Sequence, residues 1–275
     1  MARPITKLLT GLAVAVIAVL GVIFIVLLRP KPAPAPLPNP NGYEGLLQAS
    51  KMLERDTDFT TMNEERLRTA LAKNAEALNT ARKALTQESR VKLDYSATNS
   101  SRLEEISGIK RLAQVFVAQG RLAEIDHHPR EAAYAYLDAI RLGLQSERGG
   151  TIIDSMVGIA VEALGASALE KLSSQLTTEE CREIGAALEI AERGRQPIEA
   201  LLAQERAWAR RTYGFKAVLI RLMTFKQLRA GEQRWAAKRR AQEIRTQQLL
   251  TKLATKAHEL EKGESQKSAG DSVPR

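Results

Sequence analysis

From residue 43 onward, apolar side chains return every three or four positions with Lys, Arg, Glu and Gln between them. That period belongs to helices that bury one stripe and wet the other. β-Branched runs with strict alternation are hard to find outside the N-terminus, so an all-α fold is expected. The pattern predicts helices at 43–56, 62–89, 102–125, 130–147, 152–174, 178–194 and 197–262, the last interrupted near Gly231. Four hydroxyl–acid pairs three residues apart, Thr61/Glu64, Ser101/Glu104, Thr151/Asp154 and Thr177/Glu180, mark helix starts. In each, the hydroxyl takes an orphan N–H and the acid reaches back to the cap residue. Gly149-Gly150, Gly194 with Pro197 shortly after, and Gly231 mark the stops. Residues 263–275, which end KSAGDSVPR, read as a disordered tail.

The N-terminus follows another pattern. Leu8 to Leu28, LLTGLAVAVIAVLGVIFIVLL, carries no charge. As a helix it would be roughly 30 Å long, the thickness of a bilayer's hydrocarbon core. It exceeds the apolar stretch of about 7–15 residues in a cleaved signal, and the one Ala-x-Ala candidate, Ala33 to Ala35, is followed by Pro36. Residues 8–28 therefore read as an uncleaved single-pass anchor in a lipid bilayer, after a short tail at 1–7. Arg3 and Lys7 face Arg29 and Lys31 across it, a narrow positive-inside margin. The proline-rich linker 29–42, RPKPAPAPLPNPNG, reads as a semi-rigid stalk. A stalk of this kind suits an extracytoplasmic domain, divided into a helical bundle at 43–196 and a long basic amphipathic helix at 197–262.

Within the bundle, TIIDSMVGIAVEALGASALEKL is the most apolar stretch, and its glycines and alanines let neighbouring backbones come close. Asp154 and Glu162 oppose a second span, since an acid near the centre of a membrane helix costs about 3 kcal/mol. This helix is expected at the bundle's centre, with Glu162 facing the rim or paired to an arginine, Arg141 or Arg148, rather than serving as a buried catalytic acid.

Charge singles out the C-terminal helix. The chain carries +9, yet Glu205 to Lys262 holds fifteen Lys/Arg against five Asp/Glu, so the remainder sums to −1. WARRTYGFKAVLIRLMTFKQLRAGEQRWAAKRR interleaves the aromatics Trp208, Phe215, Phe225 and Trp235, the candidate interface side chains, with Arg210, Arg211, Lys216, Arg221, Lys226, Arg229, Arg234, Lys238, Arg239 and Arg240. Leu201, Trp208, Phe215 and Leu222 recur every seven residues, a spacing shared with coiled coils, so an apolar stripe is expected beside a cationic remainder. Three readings fit this composition. The stripe packs on the bundle and the cations are simply solvated; or the helix binds an anionic membrane surface; or it binds nucleic acid. An extracytoplasmic location opposes the last.

Candidate chemistry is sparse. Asp126, His127 and His128 are adjacent, whereas ligands on one helix face need spacing of three or four. They read as a turn, with Pro129 starting the next helix. Cys181, the single cysteine, excludes an internal disulfide and reads as a packing residue between Glu180 and Arg182. No P-loop, dinucleotide-type glycine pattern, H-E-x-x-H or G-x-S-x-G is present. No catalytic residue, metal site or cofactor is therefore expected.

Residues 116–149 carry a resemblance. Phe116, Gly120, Ala132, Tyr136 and Ala139 stand where a tetratricopeptide unit has its large aromatic, its glycine and its small–aromatic–small series. Gln119, Ala123 and Leu144 depart from that pattern, and no second copy lies 34 residues either way. The likeness implies one helical hairpin. The run RLGLQSERGGTIIDSMVGIAVEAL also resembles membrane-anchored helical proteins of unknown function from planctomycete-like bacteria. Together these features predict a single-pass, non-enzymatic protein that serves as an interaction or scaffolding module of the cell envelope for a protein partner. The alternative is direct binding of an anionic membrane or other polyanion through the basic helix.

Overall fold

The computed structural model describes residues 11, 14, 17–19, 21, 33–54, 58–59, 61–96 and 100–270, apart from the side chains of 100, 101 and 264–270. Its helices are α1 (Gly42–Met52), α2 (Glu64–Lys73), α3 (Ala75–Leu85), α4 (Ser100–Ile125), α5 (Pro129–Ser146), α6 (Ile152–Leu172), α7 (Thr178–Arg193), α8 (Ile198–Tyr213), α9 (Phe215–Met223) and α10 (Phe225–Gly270), with a 3₁₀ turn at Ser173–Gln175. No strand occurs among the described residues.

Local chemistry sets the helix ends. Thr151/Asp154 and Thr177/Glu180 form the expected reciprocal caps. Thr61 does not: its hydroxyl donates to Asp58, and Asn63 caps α2 by accepting from the Arg66 N–H at 3.1 Å. The expected helix 62–89 is broken at Asn74. The Asn74 side-chain amide donates to the Ala70 carbonyl (2.8 Å), while its oxygen accepts from the Glu54 N–H (3.1 Å). A residue that satisfies backbone groups with its side chain competes with helix continuation. The C-terminal helix breaks at Gly214 (φ +57°) and Thr224, while Gly231 lies inside α10. Helix also continues to Gly270, through part of the expected disordered tail.

Two apolar clusters join through α5. One unites α1, α2, α3 and α4 with Ala139 and Leu142 of α5; the other unites α5 with α6, α7 and the later part of α10. The most covered helix is thus α5, buried almost throughout from Ala132 to Ser146, rather than the more apolar α6. Gly143 and Gly158 make the α5–α6 crossing possible, because a Cβ on either would collide with the other's backbone carbonyl.

The membrane element differs from the expected one. The apolar run at 8–28 lies largely outside the described residues. Among those described, the one helix long and apolar enough to cross a membrane is internal, Ile152–Gln175. This helix packs on α4, α5 and α10, and two of its three acids are buried and bonded, Asp154 to Arg102 and Glu162 to Arg195, while the half-buried Glu170 pairs with Arg245. Arg195, not Arg141 or Arg148, is the partner of Glu162, because the loop after α7 folds back over α6. Ile153, Met156 and Leu164 remain exposed on its outer face. The stalk does not stand wholly clear of the domain, since Pro34, Ala35 and Leu37 share a small cavity with Val91, Tyr95 and Gln204.

Candidate functional site

The seam that seats α10 explains where the arm above it begins. Trp235, Arg239, Gln242, Thr246, Leu249, Leu253 and Ala257 are buried at spacings of three or four residues, the period of one helix face. The last three pack in the apolar cluster with Cys181, Ile184 and Leu188 of α7. The first four meet buried polar groups. Arg239, 0% exposed, pairs with Glu147 and donates to Ser155 Oγ (3.0 Å) and the Gln196 carbonyl (2.6 Å). Trp235 Nε1 also donates to Ser155 Oγ, at 3.2 Å. Glu162 accepts from Arg195 (2.6 Å), Thr246 (2.8 Å) and Gln242 (3.2 Å). Burial pushes the Glu147 carboxyl above the usual range despite the opposing pull of Arg239.

Two expectations are corrected here. Arg239 is not a surface cation and Trp235 is not an interface aromatic: the face on which they lie points into the bundle. The apolar stripe of the basic segment also fails as one continuous face. Leu201 is buried and Trp208 half-buried, but Leu222 is 76% exposed. The breaks at Gly214 and Thr224 reset the helical phase, so a seven-residue recurrence no longer describes one side.

The result is an arm of three short helical pieces, α8, α9 and the start of α10. Its root is pinned to the bundle. Trp208 Nε1 donates to the Asp94 carbonyl at 2.7 Å, the Arg211 guanidinium sits 4.7 Å over the Tyr95 ring, and Glu205 accepts from the Ile152 N–H at 2.9 Å. Burial raises the Glu205 carboxyl above its ordinary range, although the Ile152 N–H pulls it back. Beyond the root, α9 packs mainly on α8 and α10.

The arm's end carries what the sequence reading missed. Val218, Leu219, Ile220, Leu222, Met223 and Phe225 are all exposed, Met223 by 82% and Phe225 by 50%. The seven-residue recurrence places Leu222 on a packing stripe and Phe225 is expected at an interface, whereas the exposure of Val218, Leu219, Ile220 and Met223 depends on the breaks at Gly214 and Thr224. Around them stand Lys216, Lys226 and Arg229, all exposed, and Arg221, half-buried. From Arg206 to Gly231 there are seven Lys/Arg and no Asp or Glu. Of the other expected site residues, Arg210, Arg211 and Phe215 are half-buried along the arm, while Arg234, Lys238 and Arg240 are exposed on α10 beside the seam.

The remaining candidates have settled positions. Asp126 is bonded to Arg68, which holds its carboxyl below the usual range; His127 occupies the turn at φ +58° and His128 precedes α5. Cys181 is buried, and burial raises its thiol pKa. It borders an open groove of about 770 Å³ between α7 and α10. Among the described residues no group of three or more His, Cys, Asp or Glu side chains is placed to hold a metal ion. No family model, no curated protein and no solved structure matches the chain.

Proposed function

We propose that this all-helical protein is a non-enzymatic module that docks on anionic membrane surfaces through the α8–α10 arm. The observation that carries this reading is the coincidence, at one end of the arm, of an exposed apolar cap with a collar of cations and no acid between Arg206 and Gly231. An apolar face rich in Leu and Phe, bordered by Lys and Arg, suits the headgroup–acyl boundary. Each Lys or Arg near an anionic surface contributes about 1 kcal/mol, so K216Q/K226Q/R229Q should weaken binding about a hundredfold. Flotation of the full chain with phosphatidylcholine vesicles, with and without phosphatidylglycerol, tests this over a salt series. Binding should require the anionic lipid and fall with salt and with the triple substitution. Indifference to all three would refute it.

A second reading, an interaction or scaffolding module, is favoured by the exposed Ile153, Met156 and Leu164 along α6. Such a stripe suits a helical partner. If it binds one, M156D/L164D should abolish recovery of a defined partner by the full chain while leaving vesicle binding intact; unchanged recovery would remove this reading.

A further inference from the structure

At the inner edge of the apolar cap, three arginines from three helices line one small pocket. Arg206 of α8, Arg221 of α9 and Arg229 of α10 surround about 220 Å³ together with Phe225, Leu228 and Glu232. Arg206 and Arg221 both reach toward Glu232, at 3.9 and 3.8 Å. Those separations satisfy an ion pair but exceed the roughly 3.2 Å limit of a good N–H···O bond. Glu232 is the most covered of the three, at 22% exposure against 50% and 42% for the two arginines. Glu232 thus faces two guanidiniums, and Arg229, which lines the same pocket over the Phe225 ring, adds a third cation that leaves the lining cationic.

The chemistry points to an occupant. A guanidinium presents paired N–H donors in a planar fork that matches phosphate oxygens two at a time. A phosphate monoester offers three free oxygens and a charge of about −1.5 to −2 at neutral pH, more than the single carboxylate supplies. Phe225 and Leu228 form the apolar wall, and that wall continues into the exposed Leu222 and Met223. A ligand with a phosphate at one end and acyl chains at the other would meet both surfaces at once.

We infer that Arg206, Arg221 and Arg229 form a seat for the phosphate monoester of an anionic lipid headgroup, with Glu232 gathering Arg206 and Arg221 before the lipid arrives. The inference rests on the membrane-surface reading and specifies its ligand. Its test uses the full chain on phosphatidylcholine vesicles containing either phosphatidic acid or phosphatidylserine, adjusted to equal surface potential. The unaltered chain should bind the phosphatidic acid vesicles about tenfold more tightly. R206K/R221K/R229K keeps the charge but loses the forks. It should retain phosphatidylserine binding and lose the tenfold preference, with an unchanged melting curve to show that the fold persists. Equal binding of the unaltered chain to both anionic vesicles, or a preference that survives the triple Arg→Lys change, overturns the seat while the membrane reading stands. Failure to bind either anionic vesicle better than neutral ones removes both. Calorimetric titration with inorganic phosphate alone separates the remaining source. The lipid assignment requires no saturable heat below about 10 mM, whereas saturable binding abolished by the same Arg→Lys changes assigns the pocket to free phosphate and overturns it.

Discussion

Arg239 and Glu147 are buried together, so neither can be removed cheaply. Loss of one partner leaves the other charged and desolvated, which costs about 3–5 kcal/mol. Denaturant titration of Glu147→Leu and Arg239→Met should each show a loss of that order, and the double substitution should recover much of it. Single losses below about 1 kcal/mol would mean that water reaches the pair. Tyr43 gives a pH-dependent counterpart. Burial, opposed by the nearby Arg102 charge, pushes its phenol from 10.0 to about 12. The folded state therefore holds this proton more tightly than the unfolded chain does. Its contribution is complete below pH 10 and is lost as pH rises toward 12. At about 1.4 kcal/mol per pKa unit, the loss is about 3 kcal/mol. Tyr43→Phe should flatten that part of the alkaline denaturation profile; an identical profile would exclude Tyr43 as its source. Cys181, raised by burial, should react with iodoacetamide at pH 8 far more slowly than in the denatured chain, and equal rates would contradict its packing role.

At the scale of the helices, the arm separates folding from function. Leu222 is 76% exposed on α9, so Leu222→Glu should change stability by less than about 0.5 kcal/mol yet abolish attachment to anionic vesicles. A large drop in stability would show that α9 packs on something in solution. Helix identity was legible in the sequence wherever periodicity and caps agreed, as at Thr151 and Thr177. It failed where a side chain acted on the backbone, as Asn74 does at 2.8 Å from the Ala70 carbonyl. Gly214 and Gly231 show the same limit. Both are glycines in a basic helical pattern, but only Gly214 adopts φ +57° and breaks the helix. The cationic residues of the arm were legible individually. Their division into exposed collar and buried seam was not, because it depends on helical phase after two breaks, and a one-residue change of phase turns Arg239 from solvent to core.

For the whole molecule, the buried polar seam and the apolar cap act in series. Arg239, Trp235, Gln242 and Thr246 seat α10 on α6, Trp208 and Glu205 pin α8, and the chain between these anchors forms the arm. The arm is thus anchored to the bundle at both ends, and with a net charge of −1 outside residues 205–262 the proposed attraction to an anionic surface falls to that segment. The most direct test places a reporter at the cap itself. In the full chain carrying Cys181→Ala and Leu222→Cys, an environment-sensitive fluorophore on residue 222 is mixed with neutral or anionic vesicles. Emission should shift to the blue with anionic vesicles alone, return with high salt, and be quenched by lipids brominated near the headgroup. Emission that stays at its aqueous wavelength on anionic vesicles, with the protein bound, would contradict it.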